Sequence, residues 1–225
     1  WRVDWPARWS MLGVQAEPFG RDHATKGGSY DTGARIVREV FGAEPPYPVP
    51  YHFINRVGET KKMSKSAGNV ITAAELLTIL PPEIVWFFLL RSAPDKQLFF
   101  GEGETLLRLF DDFAALLAKP DKTEADTQLI DLCTRNIPEL VVSNVPLSHL
   151  VSAYQASLKD ADLTLRTIER SEYVKTAREQ ANIIRRELAY IDNWLKRWAP
   201  DEMKFELKEQ IEKDLIKIHQ IVYFY

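Results

Sequence analysis

The hydrophobic pattern changes character about halfway along the chain. In roughly the first hundred residues, short apolar runs alternate with glycine and proline clusters, which is typical of strands and brief helices joined by loops. From Glu102 onward, apolar residues recur at intervals of three and four positions, which indicates amphipathic helices. The pattern therefore predicts an α/β part over residues 1–100 and an all-α part over residues 101–225.

The α/β part begins with an alternating segment. Trp1, Val3 and Trp5 alternate with polar residues, so we expect an extended segment whose aromatic side chains share one face. Pro6 should end this segment or confine it to the edge of a sheet. These aromatic residues are ordinary candidates for a hydrophobic core. With Asp4 beside them they also form a possible receptor for an ammonium group, through cation–π and charge-assisted contacts.

The remaining elements of the first part are short. Residues 34–41 predict a helix that ends at Gly42, and the proline-rich residues 44–50 predict no regular structure. Residues 51–57 are aromatic and β-branched, as expected of a strand, and residues 97–100 predict a second, brief extended piece.

Two helical regions follow. Pro82 suits the first turn of a helix, and residues 84–90 are apolar on every side, so we expect this helix to be buried. Further helices are predicted from residue 102 until Pro120 ends the run, and over residues 124–134, 146–159, 171–198 and 206–221. Several helices with short connections favour an α-helical bundle.

A short cationic loop is the strongest chemical signal in the chain. Residues 62–66 read Lys-Met-Ser-Lys-Ser, flanked by Gly58 and Gly68. Thr72 and Glu75 have the spacing of a capping box, so the loop should join a strand to a helix. Its two ammonium groups, hydroxyls and backbone donors suit an anionic ligand, although no P-loop motif is present. The alternative is a solvated lysine- and serine-rich surface loop.

A turn with polar side chains precedes this loop. Gly20 permits a tight turn, and Asp22 and His23 provide an acceptor and an ambivalent donor at its tip. A loop-capping aspartate would explain the same residues equally well.

Four strings, in this order and spacing, resemble class I lysyl-tRNA synthetases. They are WRVDWPARW at residues 1–9, GRDH with a following SYDTG at 20–33, PYHFI at 50–54, and KMSKSAGNVIT at 62–72. The resemblance implies the second half of a Rossmann-like catalytic domain with a stem-contact region, followed by a truncated helical region that binds tRNA or its anticodon. The string at residues 199–206 is similar to that helical region.

The resemblance also implies roles for individual residues. Asp22 would hold the ribose of ATP, and the ATP-binding loop would consist of Lys62, Met63, Ser64, Lys65 and Ser66, with the two lysines acting catalytically on the phosphates. Trp1, His23 and Tyr51 would line the lysine pocket, together with Asp4. Two departures from the family pattern stand out: Arg21 replaces a more usual lysine, and Ala67 replaces a basic residue.

The implied reaction is a two-step ligation. Lysine would be adenylated with ATP and Mg²⁺, and the lysyl group would then pass to tRNA(Lys). The HIGH signature of class I synthetases does not occur in these 225 residues, and neither end has the features of a natural terminus. We therefore expect a piece of a longer enzyme that does not activate lysine alone.

A basic helix face is a candidate tRNA contact. Arg178, Arg185 and Arg186 lie mostly off the apolar stripe of the predicted helix over residues 171–198. Glutamates alternate with them, so a solvated helix face explains the same pattern.

Composition narrows the possibilities. The net charge is −3 and the pI about 5.9, so RNA contact requires a local basic face. The single cysteine and four scattered histidines exclude a disulfide within the chain and give no reason to expect a metal site. With no apolar run of transmembrane length and no signal peptide, we expect a cytoplasmic protein without membrane contact, and a monomer.

Two rival functions stay open. One is a class I synthetase for another amino acid, such as glutamate or cysteine; cysteine is disfavoured because no zinc-ligand cluster is present, and glutamate would need a cationic receptor. The other is a non-catalytic RNA-binding module with a vestigial KMSKS loop.

Overall fold

The computed structural model describes residues 3–58, 63 and 70–205. They form two compact units, one from residues up to 73 with 85–101, and one from 74–84 with the residues from 102 onward. The content is mostly helical, with two small sheets. The predicted boundary after residue 100 places residues 74–84 in the first part, but they belong to the second unit. The functions predicted for the two parts stay predictions.

Two parallel pairs of strands organise the first unit. Strand β1 (Ala16–Gly20) pairs with β2 (Tyr47–Tyr51), and β3 (Ile54–Arg56) pairs with β4 (Leu98–Phe100). The predicted extended piece at residues 97–100 is therefore confirmed. The single strand predicted over residues 51–57 is wrong, because the chain breaks at residues 52–53 and the two strands on either side pair with different partners.

Strand β2 lies where the prolines predicted no regular structure, and that prediction is wrong. The N–H of Tyr47 donates to the carbonyl of Gln15, on the side of β1. Successive residues of a strand point their N–H groups in opposite directions, so Pro48 and Pro50 fall where the N–H would face away from β1. Prolines are tolerated in a strand at such edge positions.

The opening segment is a helix, α1 (Asp4–Leu12), and the extended conformation predicted for it is wrong. Pro6 lies in the first helical turn, where its missing N–H breaks no helical hydrogen bond. Trp5 and Trp9 are four residues apart and share one helix face, with ring centroids 5.8 Å apart. Gly13 ends the helix in the left-handed conformation, with a φ of 62°.

The helix predicted over residues 34–41 is confirmed, although it begins five residues earlier. Helix α2 (Ser29–Ile36) continues as a π-helical turn (Val37–Phe41) and ends at Gly42, which has a φ of 61°. Tyr30 of α2 stacks on Phe19 of β1 and contacts Trp9 of α1. These rings, with buried Val37, form the core that holds β1 in place.

Helix α3 (Ala73–Ile79) follows the predicted capping-box position, and α4 (Pro82–Leu90) begins at the predicted proline. Burial of α4 on every side is wrong. Ile84 is fully buried, but Trp86 is 50% exposed and Leu89 and Leu90 are each 38% exposed. The residues that the structure describes contain no single helix long and apolar enough to cross a membrane; α3 and α4 reach that length and composition only together, as a bent pair.

Most helices of the second unit agree with the hydrophobic pattern. They are α5 (Glu104–Ala118), α6 (Glu124–Thr134), α7 (Leu147–Ala156), α8 (Ala161–Ile168), α9 (Val174–Glu179) and α10 (Ala181–Arg197). The single helix predicted over residues 171–198 is wrong, because the chain leaves helical geometry at Gln180, with φ −116° and ψ 22°. Helix α8 was not predicted, and the helix predicted over residues 206–221 lies outside the described residues.

An irregular segment and the first residue of α7, together residues 139–147, are held between these helices by side chains. We call them the bridging segment. Its backbone N–H groups donate to buried carboxyl groups: Val141 to Glu83 Oε1 at 2.6 Å and Ser143 to Glu187 Oε2 at 3.1 Å. The N–H of Leu147 likewise donates to Asp111 Oδ1, at 2.7 Å.

Two further side chains fix the bridging segment. The N–H of Asn144 donates to Gln180 Oε1 at 2.9 Å, and the guanidinium of Arg186 donates to the carbonyl of Leu140 at 3.3 Å. Because buried backbone groups must find partners, these bonds take the place of the secondary structure that the segment lacks.

Candidate functional site

The carboxyl ends of β1 and β2 lie side by side in the first unit. The strands are parallel, and their last residues, Gly20 and Tyr51, are register partners. A single 3₁₀ turn (Arg21–His23) follows β1 directly. Carboxyl ends of parallel strands are where α/β folds bind their ligands, so the polar side chains of this turn are well placed for binding.

A side chain approaches Gly20 closely. Its backbone is extended, with a φ of −61°, so any residue could adopt its conformation. A Cβ atom at this position would lie only 2.7 Å from Asp22 Oδ1. The carboxylate of Asp22 therefore lies against Gly20, the last residue of β1 and the register partner of Tyr51.

Asp22 and His23 have different surroundings. The Asp22 carboxylate is half exposed, and its Oδ1 lies 3.9 Å from His23 Nε2, beyond hydrogen-bond distance. The other ring nitrogen of His23, Nδ1, lies 3.0 Å from Ser29 Oγ, and the ring packs 5.6 Å from that of Trp5. His23 is thus oriented by its neighbours, while Asp22 presents its oxygens to solvent.

Arg21 joins the turn to the chain that follows β2. Its Nη1 donates to Nε2 of His52. The backbone N–H of His52 donates to the carbonyl of Pro94 at 3.1 Å, which gives His52 a second partner. His52 therefore connects the Arg21–His23 turn to residues beyond α4.

A cavity of about 760 Å³ opens beside His52. It is mainly apolar, and Arg91 and Lys96 contribute cationic side chains to its lining. Met63, the residue of the KMSKS string that the structure describes, lies in its wall with Tyr51 and His52. Met63 thus shares a cavity wall with Tyr51, the last residue of β2.

The structure brings some of the predicted site residues together. Asp22, His23 and Tyr51 meet at the ends of β1 and β2. Asp4 is exposed and forms an ion pair with Arg8 at 3.0 Å, one turn along α1. The predicted residues Trp1, Lys62, Ser64, Lys65 and Ser66 lie outside the described residues.

The contacts of two residues at the site were not predicted. Trp5 supplies the ring against His23, and its spacing of four residues from Trp9 was the available signal for a helix. His52 lies inside the PYHFI string, but its contact with Arg21 depends on the pairing of β1 with β2, which the sequence does not reveal.

The predicted tRNA-binding arginines lie in the second unit. Arg185 Nη1 lies 2.5 Å from Asp162 Oδ1, and Arg186 forms an ion pair with Glu139. Arg178 is exposed on α9. Two of the three cations are therefore paired with carboxylates of the same unit.

Comparison with known proteins assigns a family. Residues 1–134 match the family model described as tRNA synthetases class I (K). A lysine–tRNA ligase of Methanosarcina barkeri is 41% identical over 216 residues, which cover 94% of this chain and 39% of the relative. A lysine–tRNA ligase of Archaeoglobus fulgidus is 40% identical over 211 residues, with 94% and 41% covered.

A more distant relative agrees with these two. The lysine–tRNA ligase of Thermococcus kodakarensis is 34% identical over 221 residues, covering 93% of this chain and 42% of the relative. The chain thus spans about two fifths of the length of the curated relatives that it matches.

Proposed function

Since the chain belongs to the class I tRNA synthetases of the K, or lysine, type, we propose that the whole protein is a lysine–tRNA ligase. It adenylates lysine with ATP and Mg²⁺ and passes the lysyl group to tRNA(Lys). The proposal rests on a family match over more than half of the chain and on relatives from several archaea that carry this name.

The finer architecture belongs to the same proposal. The strands of the first unit are part of the second half of a Rossmann-like catalytic domain, which residues outside this chain complete. The helices of the second unit belong to a bundle that binds tRNA. We propose that the enzyme acts as a cytoplasmic monomer.

The structural observation that carries the proposal is that residues from three of the family-like strings lie close to His52. The turn that contains Asp22, the end of β2 at Tyr51, and Met63 of the KMSKS string lie next to this one residue or to its cavity. An enzyme that joins ATP to an amino acid needs a ribose acceptor, a side-chain receptor and phosphate-binding groups close together.

In this reaction the lysine carboxylate attacks the α-phosphate of ATP, and pyrophosphate leaves. Asp22, with its half-exposed carboxylate, accepts hydrogen bonds from the ribose hydroxyls. Lys62 and Lys65 neutralise the charge that develops on the departing phosphates, where donors stabilise a transition state most. Met63, Ser64 and Ser66 complete the loop that contacts the triphosphate.

The lysine side chain carries an ammonium group, and aromatic rings with an acidic neighbour suit it. Trp1, Asp4, His23 and Tyr51 form this pocket in our proposal. Trp5 supports it by holding the ring of His23.

Lysine-dependent exchange of pyrophosphate into ATP by the whole protein tests the proposal. We expect exchange with lysine and none with glutamate or cysteine. Lys65→Ala should lower the rate about 10²–10³-fold, as expected for loss of one donor to the developing charge. Lys196→Ala is the matched control, because Lys196 is an exposed lysine of α10 paired with Asp192. Exchange that depends on another amino acid would overturn the lysine assignment.

A further inference from the structure

We propose that Arg21 and His52 are a pair of positioning residues that set the place of Asp22 in the ATP site. The inference rests on the proposed function, since it concerns the same site. Neither residue is assigned to a substrate. They act through the turn between them, which carries the carboxylate that accepts the ribose.

The chemistry of the two groups fixes their roles. A guanidinium has only donors, so Nε2 of His52 must accept the hydrogen bond from Arg21. This hydrogen bond therefore requires the His52 tautomer in which Nδ1 carries the proton. The bond is charge-assisted, which makes it stronger than one between two neutral groups.

His52 is the fixed partner of the pair. Its backbone N–H donates to the carbonyl of Pro94, and it directly follows Tyr51, which is held in register with Gly20. Arg21 lies on a 3₁₀ turn of three residues, with none of them buried. The contact thus ties a lightly packed turn to a well-anchored strand end.

Asp22 depends on the position of this turn. Its carboxylate lies against Gly20, and His23 Nε2, at 3.9 Å from Asp22 Oδ1, is beyond hydrogen-bond distance. The described contacts of Asp22 therefore restrain its carboxylate weakly. If the turn shifts because Arg21 has lost its acceptor, the carboxylate shifts with it, and ribose binding weakens more than the chemical step.

Matched variants of the whole protein distinguish the loss of the hydrogen bond from a change in side-chain size. His52→Met removes the acceptor and His52→Gln restores one on a side chain of similar length; Arg21→Met and Arg21→Lys form the corresponding donor pair. We expect both methionine variants to raise the KM for ATP about tenfold. The kcat and the KM for lysine should change less than about threefold, since the lost contact does not touch the reacting atoms. The glutamine and lysine variants should recover most of the ATP affinity.

The double variant Arg21→Met with His52→Met gives the decisive measurement. If the two residues act as one pair, its KM for ATP should equal that of either single variant. The inference would be overturned if the two single effects multiplied in the double variant, or if the single variants left the KM for ATP unchanged. It would also be overturned if kcat and the KM for lysine changed as much as the KM for ATP.

The proposed function and this inference can fail separately. If the wild-type protein exchanges no pyrophosphate with lysine, the proposed function fails. ATP affinity measured directly by calorimetry then still decides on the pair, through the same four single variants and the double variant.

Discussion

Glu187 of α10 is a carboxylic acid that is almost completely removed from solvent. It is 1% exposed and accepts a hydrogen bond from the N–H of Ser143. Burial raises the pKa of Glu187 to about 8, and the nearby carboxyls of Glu83 and Asp111 act in the same direction, while the bonds from Ser143 oppose them. The group is therefore mainly protonated at neutral pH.

The shifted pKa of Glu187 predicts a pH dependence of stability. Between its ordinary pKa of 4.5 and about 8, the folded second unit holds a proton that the unfolded chain releases. Its free energy of unfolding should thus be highest below pH 4.5 and fall as pH rises towards 8, by about 1.4 kcal/mol per unit of pKa difference. Urea unfolding at pH 5, 7 and 9, followed by circular dichroism, measures this fall.

Glu187→Gln should flatten much of that dependence, because glutamine carries no titrating proton. The exposed Glu169→Gln is the matched control and should leave the slope unchanged. Burial also raises the pKa of Glu83, so a smaller slope of the same sign should persist in the Glu187 variant. A slope identical to that of the wild type would contradict the assignment to Glu187.

Gly20→Ala should affect binding and leave stability nearly unchanged. The added Cβ meets only the end of the Asp22 side chain, which can rotate away, and the backbone of Gly20 is not strained. We expect a change of less than about 0.5 kcal/mol in the free energy of unfolding. ATP affinity of the whole protein should fall, because the Asp22 carboxylate is displaced; calorimetry and urea unfolding measure the two quantities. A large loss of stability would show that the carboxylate cannot move.

For single residues, the sequence predicted the kind of chemical group better than it predicted which residues contact each other. Asp22, His23 and Tyr51 lie at or directly after the carboxyl ends of β1 and β2, and their roles stay predictions. The contacts of Trp5 with His23 and of Arg21 with His52 arise from a helix and from strand pairing, so local pattern alone did not reveal them.

Among the elements, α6 is the one whose predicted bounds agree fully with the structure. Its first turn explains why. The hydroxyl of Thr123 accepts from the N–H of Asp126, and the Asp126 carboxylate accepts from the N–H of Thr123, a complete capping box. The hydrogen bond from Lys119, with those from Thr123, lowers the pKa of Asp126 to about 2.

Thr123→Ala should destabilise the second unit by about 1 kcal/mol, the usual value of an N-cap. Thr123→Ser keeps the hydroxyl and should cost only a few tenths of that amount. Urea unfolding followed by circular dichroism distinguishes the two variants. Equal losses in both would mean that the threonine methyl group, not the cap, is responsible.

The elements that were predicted wrongly share a physical cause. Alternation of Trp1, Val3 and Trp5 suggested a strand, but the spacing of Trp5 from Trp9 and the ion pair of Asp4 with Arg8 favour a helix. In β2, prolines were compatible with a strand because, within the described part of the chain, only one of its edges is paired. In both cases the structure was decided by contacts outside the short stretch on which the prediction rested: one turn further along the chain in α1, and with another strand in β2.

For the molecule as a whole, the sequence predicted the family and a mixture of strands and helices. The Rossmann-like arrangement stays a proposal. Since the chain spans about two fifths of its relatives and carries no HIGH string, we expect these 225 residues alone to give no lysine-dependent exchange above background. The whole protein assayed in parallel is the control. Exchange by the shorter chain at a comparable rate would contradict this expectation.

Binding of tRNA(Lys) tests the arginines of the second unit. Arg178→Ala, Arg185→Ala and Arg186→Ala should each weaken binding by the whole protein and reduce its salt slope by about 0.7–0.9 per lost phosphate contact. Asp162→Asn frees Arg185 from its ion pair and should not weaken binding. Filter binding across a salt series measures both quantities. Unchanged slopes in all three alanine variants would make this face ordinary surface.

The length of the bridging segment is constrained, although its backbone is irregular. Its donors reach Glu83, Glu187 and Asp111 at fixed intervals, from three different helices. Inserting or deleting one residue between Val141 and Leu147 would offset every later donor from its acceptor. Loops generally tolerate changes of length, but this one should accept substitutions of its exposed side chains while remaining constant in length throughout the lineage.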